Sequence, residues 1–175
     1  MKRQLALTSL ALLAACTPTV RPPAPVPAPK PTPTPAPVPV RSPYVGDWRD
    51  WPVTPGNWVY RPAGSRGSSA QYGVAGQPAQ FAIQCDPSAH RIILSRAAAT
   101  GTMMTVRTSA MARTLTTTAS SDAAAVQFAV VASDDPLLDA MAFSRGRFII
   151  ELSPLPPLVV PAWSEVSRVI EDCRR

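Results

Sequence analysis

The chain is poor in the residues that carry most enzyme chemistry. It has one histidine, His90, and three cysteines. No lysine follows Lys30. A Ser-His-acid arrangement would have to use His90, which sits just after a turn and reads as a surface residue, and no Gly-x-Ser-x-Gly elbow is present. A Ser-Lys dyad has no lysine available. Zinc takes several Cys or His ligands, and too few exist here. Neither a glycine-rich phosphate loop nor a Cys-x-x-Cys pair occurs. Asp134, Asp135 and Asp139 could hold calcium, but the first two already read as a helix start. Glu151 with Glu165 or Asp139 could form a carboxylate pair, yet no spacing favours it. The expectation is a non-catalytic chain with no metal and no cofactor.

Long apolar runs are missing too. The longest, Leu5 to Leu12, is too short to span a bilayer as a helix, which takes about 20 residues. Charge is scarce where a nucleic-acid partner would need it. The formal net charge is +6, but Lys2, Arg3, Arg21, Lys30 and Arg41 all lie before Tyr44. From Tyr44 to Arg175, twelve Arg stand against eleven Asp and Glu, leaving +1. No nucleic-acid partner is expected. Arg145-Arg147 and Arg174-Arg175 read as solvated faces.

What is present begins at the N-terminus. Lys2 and Arg3 precede the apolar stretch, and Leu13-Ala14-Ala15-Cys16 closes it. Basic start, short apolar middle and small-residue exit make a secretory signal over residues 1–15. Ending on cysteine, it resembles the lipobox of bacterial lipoproteins. That resemblance implies cleavage before Cys16 and acylation of Cys16, with several acyl chains anchoring the protein stably. Residue 17 is Thr rather than Asp, which in that family favours the inner leaflet of the outer membrane. The expected partner is therefore the membrane, through Cys16, with the rest of the chain facing the periplasm.

Residues 16–43 form the second piece. Proline fills every second position from Pro23 to Pro39. Proline lacks the backbone donor and fixes φ, so helix and central strand are both denied. Such a chain favours polyproline II, a stiff spacer reaching about 3.1 Å per residue. A ligand for a proline-binding groove, or contact with anionic polymer through Arg21, Lys30 and Arg41, are the competing readings.

The third piece, 44–175, is about 130 residues, one ordinary domain. Its pattern is dominated by short β runs. Asn57 to Pro62 and Ala70 to Val74 read as a first pair. Gln80 to Cys85 alternates, with Phe81, Ile83 and Cys85 on one face. Asp86-Pro87-Ser88-Ala89 is turn chemistry, and Arg91 to Arg96 returns. Thr102 to Ser109 and Arg113 to Thr118 are β-branched. Ala124 to Ala132 places Val126, Phe128 and Val130 on one face. Asp134-Asp135-Pro136 then opens a short helix to Phe143. Arg147 to Leu152 and Leu158 to Val160 read as strands. Pro161 to Cys173 reads as a helix with Trp163, Val166, Ile170 and Cys173 as its apolar stripe. The expected fold is mainly β (α+β): a small antiparallel β-sandwich with a short helix and a C-terminal helix.

With Cys16 acylated, Cys85 and Cys173 remain. Each falls on an inward apolar stripe, and the compartment is oxidising, so a disulfide pinning the last helix to the sheet is expected. Trp48, Trp51, Trp58 and Tyr60 crowd a short stretch and form the candidate binding surface; the competing reading is packing where the linker enters.

Three stretches carry a further resemblance: Phe81 to Asp86, Leu137 to Met141 with Arg147 to Glu151, and Trp163 to Cys173. They resemble the cysteine-bearing strand, late helix-strand unit and closing helix of envelope proteins of the invasion-associated locus B type. The resemblance implies a compact β-sandwich and brings no catalytic residues. The expected function is a non-catalytic binding or scaffolding module with peptidoglycan or an envelope protein as partner. An inhibitor or accessory factor of an envelope enzyme, acting through a loop at Gly64 to Ser69 or Thr114 to Ser121, is the alternative. A secretion or invasion-associated factor is another.

Overall fold

The structure, a computed structural model, describes residues 44–62, 64, 67–121 and 125–175. The signal, Cys16 and the proline-rich stretch lie outside the described residues. Among the described residues, ten strands and two helices follow a 3-10 turn at Trp48–Asp50. In chain order the strands are β1 (Asn57–Arg61), β2 (Ser69–Gly73), β3 (Phe81–Asp86), β4 (Arg91–Ala97), β5 (Met103–Arg107) and β6 (Ala112–Thr116), then β7 (Thr118–Ala119) and β8 (Val126–Ala132). Helix α1 (Pro136–Ala142), strands β9 (Arg147–Leu152) and β10 (Leu158–Pro161), and helix α2 (Ser164–Arg174) complete the chain.

The strands form two antiparallel sheets. One has the order β1-β2-β3-β4-β8-β7, the other β10-β9-β5-β6. Alternation sets which side chains meet between them, because successive residues of a strand point to opposite faces. Trp58, Tyr72, Phe81, Ile83 and Leu94 of the first sheet share one core with Met104, Val106, Phe148 and Ile150 of the second. The Phe81 and Phe148 rings meet across it, 6.4 Å apart and near edge-on. The mainly β sandwich with two helices is thus the architecture.

Helix α2 packs Val166, Val169, Ile170 and Cys173 into that core. The apolar stripe differs from the sequence reading at its start. Pro161 belongs to β10, and Trp163 is the N-cap residue, 47% exposed. Val169 takes the inward place instead. A disulfide joins Cys85 of β3 to Cys173 of α2, with Cα atoms 5.4 Å apart. That spacing suits a bridge without backbone movement. Ahead of this strand, Gly67 holds φ +82, and a Cβ there would meet the Cys85 carbonyl oxygen at 2.3 Å. Only glycine fits that approach.

Helix α1 is capped as its sequence suggests. Asp135 Oδ1 accepts from Leu137 N–H at 2.8 Å, and Oδ2 accepts from Arg113 Nη2 at 2.7 Å. Burial pushes this carboxyl up, but the Arg113 hydrogen bond, the Leu137 N–H and the Arg113 charge together hold it below its ordinary value. A carboxyl depressed in the fold contributes stability above its unfolded value and loses it as pH falls through the folded one. Asp135→Ala should therefore cost about 1 kcal/mol or more at neutral pH. The difference from wild type should shrink below the carboxylate range. Thermal unfolding of both proteins at neutral and strongly acid pH checks this; an undiminished gap in acid would refute it.

Candidate functional site

The outer face of the four-stranded sheet carries the candidate site. Met104 and Val106 of β5 point into the core, as do Phe148, Ile150 and Leu152 of β9. Arg107, Arg147, Ile149 and Glu151 therefore point outward. Arg107 lies opposite Ile149 in the ladder, and its Nη2 donates to Glu151 Oε2 at 3.3 Å. Ile149 is fully buried although it lies outside the core. The segment before β1 meets the same face. The Trp51 carbonyl accepts from Arg147 Nη1, and Trp51 lines a cleft with Arg107 and Glu151. Farther along, Thr54 clips the segment to β10: its N–H donates to the Val159 carbonyl at 2.9 Å, and its Oγ1 accepts from Val159 N–H at 3.0 Å.

The cleft is a shallow, open depression of about 380 Å³ lined by Gly46, Asp47, Trp48, Arg49 and Trp51 together with Arg107 and Glu151. Its local shape follows from Asp47, which accepts from Arg49 N–H at 2.9 Å and so starts the 3-10 turn. That same N–H, aided by the Arg49 charge, holds the Asp47 carboxyl below its ordinary value. The turn sets Arg49 over the Trp48 ring at 4.9 Å, a cation–π contact. Tyr44 meets the Trp51 ring edge-on at 5.3 Å. The Trp51 Nε1 donor is buried and has no acceptor among the described residues. A buried donor without a partner is costly.

The four aromatic candidates part company. Trp48 and Trp51, both half-buried, belong to the cleft. Trp58 is 5% exposed and sits in the core, so it offers no surface. Tyr60 is half-buried on the other side, where its hydroxyl donates to Asp172 Oδ2 at 2.6 Å and Arg168 stacks on its ring at 4.0 Å. That hydroxyl holds the Asp172 carboxyl below its ordinary value. Tyr60 thus ties β1 to α2. What joins the tryptophans instead is Arg107 and Glu151, which come from distant strands and were not expected beside them.

The other candidates also have places. His90 is exposed at a turn with φ +50. Asp139 holds Arg174 at 2.8 Å and Asp135 holds Arg113, so neither carboxylate stands free for a cation. Glu151 pairs with Arg107 rather than with Asp139 or Glu165. The stretch Thr114 to Ser121 is largely strand, β6 and β7, rather than a protruding loop. Residues 65–66 of the other loop lie outside the described residues.

The fold and site together define a two-sheet β module with an aromatic, arginine-edged surface cleft. No protein-family model, curated protein or solved structure matches this chain.

Proposed function

We propose that this chain is a lipid-anchored envelope protein whose domain binds rather than catalyses. The signal-like start and Cys16 support an anchor in the outer membrane, with the domain facing the periplasm. The proline-rich stretch supports a spacer between the two. The observation that carries the binding reading is the cleft of Trp48 and Trp51 against the Arg107–Glu151 pair. Indole faces suit the flat apolar sides of sugar rings, and their edges carry a donor. A guanidinium and a carboxylate side by side offer directional bonds to hydroxyl, amide and carboxylate groups. Peptidoglycan presents all of these, and a spaced domain below the outer membrane would meet it.

The test is sedimentation of the unlipidated chain from Thr17 with purified peptidoglycan sacculi, oxidised, beside a Trp48→Ala/Arg107→Ala variant. Wild type should pellet with the sacculi, and the variant should lose about tenfold or more in affinity, as removal of an aromatic and an arginine anchor usually does. Equal melting temperatures would confirm that both are folded. A wild type that stays in the supernatant, or a folded variant that pellets equally, would overturn the assignment.

A further inference from the structure

We infer that the end of the domain carrying Phe143 and Trp163 dips into a phospholipid surface. Three turns meet at that end. Ala162 N–H donates to the Gly146 carbonyl at 3.2 Å, so the turn after α1 lies beside the start of α2. Ser109 N–H donates to Ser144 Oγ at 3.0 Å, and Arg145 N–H to Ser109 Oγ at 3.0 Å, which adds the turn between β5 and β6.

Local structure does not call for the two aromatic residues. Phe143 closes α1 and is 78% exposed, the most exposed large apolar side chain among the described residues. Trp163 is the N-cap residue of α2, and no side chain caps that helix. Serine, threonine, aspartate or asparagine in its place would accept from the first turn and stabilise the helix. Departures from local preference gather at functional places. Neither ring packs in the core. Aromatic rings standing clear of a protein suit the headgroup boundary of a bilayer, which takes an apolar body and an indole N–H together.

The chain itself points to the occupant. Arg147 holds the Trp51 carbonyl, and the Tyr44 ring meets Trp51 at 5.3 Å, so the chain enters the domain on this side. The inference rests on the reading of Cys16 as an acylated anchor, which keeps a membrane always within reach. Tethering raises the effective concentration of that surface, so two projecting rings suffice where free lipid would be bound only weakly. A fluid surface also needs no groove to match them. Charge settles how it is met. Arg145 and Arg147 follow Phe143, Glu165 follows Trp163, and Asp50 precedes Trp51. The flanking Arg107 and Arg113 are paired with Glu151 and Asp135, and Arg49 with Asp47. The charges balance, so apolar insertion, not attraction to anionic headgroups, carries the contact.

Flotation of the unlipidated chain from Thr17 with phosphatidylcholine vesicles, with and without phosphatidylglycerol, tests this. Wild type should rise with both at about millimolar lipid, with little effect of salt. Phe143→Ser and Trp163→Ser should each bind about tenfold more weakly. Trp163→Ser supplies the missing cap, so its melting temperature should equal or exceed that of wild type, and its loss of binding will not reflect unfolding. No acyl chain is present in this assay, and the mass of the full chain extracted from membranes reports acylation of Cys16 separately. Failure of the anchor reading and failure of this surface are therefore told apart. A wild type that stays unbound overturns the proposal, including one that meets a protein through these rings. So does one that binds only phosphatidylglycerol and is released by salt, or a pair of folded variants that float as wild type does.

Discussion

Removing the Cys85–Cys173 cross-link is expected to lower the stability of the domain by about 4.5 kcal/mol. The two cysteines stand 88 residues apart, so the bridge closes most of the domain into one loop. In the chain-entropy account, that closure strips freedom from the unfolded state, and the gain grows with loop length. Set against a total of 5–15 kcal/mol typical of such domains, the loss is large. It corresponds to a fall in melting temperature on the order of 15 °C. The replacement should be Cys85→Ala/Cys173→Ala. Both cysteines are at most 2% exposed, and serine would bury two hydroxyls. Reduced wild type is the second arm, since it loses the cross-link while keeping both side chains. Both should unfold at clearly lower denaturant than oxidised wild type, and α2 should be the element that loosens. Coincident unfolding curves for oxidised and reduced protein would show that the helix is held by Val166, Val169 and Ile170 alone.

That bridge was legible because each cysteine sits on a periodic stripe, one of period two and one of helical period. Most strands were legible for the same reason. Where both faces of a strand are apolar, the alternation is legible but its direction is not. In β8 it puts Val126, Phe128 and Val130 on one face, as the structure does, without telling whether that face is the core. The structure places Ala129 and Val131 inward, with Gln127 ahead of them in the core-facing row. Small inward residues suit a place where the helices and the second sheet leave little room. Trp163 failed differently, because β10 runs through Pro161 and delays the helix. Arg96 gave no local signal. It takes an inward position of β4 at 6% exposure, donates from Nη1 to the Gln80 carbonyl at 3.0 Å, and leaves Nε without a partner. Burial lowers its tendency to hold the proton. At the cleft, the tryptophans could be read from their crowding. Arg107 and Glu151 could not, since their neighbourhood depends on the β5–β9 register and on a segment laid across it.

The second large effect separates structure from site within one aromatic cluster. Trp58→Ala is expected to cost about 3–5 kcal/mol. The indole packs on Tyr72, Phe81 and Phe148 at ring separations of 5.2, 6.2 and 6.4 Å. Its Nε1 donates to the Pro161 carbonyl at 2.8 Å, across the gap between the sheets. Alanine removes the ring, opens a cavity and strands that carbonyl. Trp58→Phe keeps much of the packing and should lose about 1–2 kcal/mol through the unpaired carbonyl. Trp48→Ala, at the cleft, should stay within about 0.5 kcal/mol of wild type, as surface changes usually do. Chemical unfolding of the three variants should therefore rank them Trp58→Ala, Trp58→Phe, Trp48→Ala, from least to most stable. Binding should rank them otherwise, with Trp48→Ala impaired while folded and Trp58→Phe near normal. A Trp58→Ala protein as stable as wild type would mean that this ring does not join the two sheets. A Trp48→Ala protein that unfolds early would mean that the cleft wall is part of the core, and its loss of binding would then say nothing about a ligand.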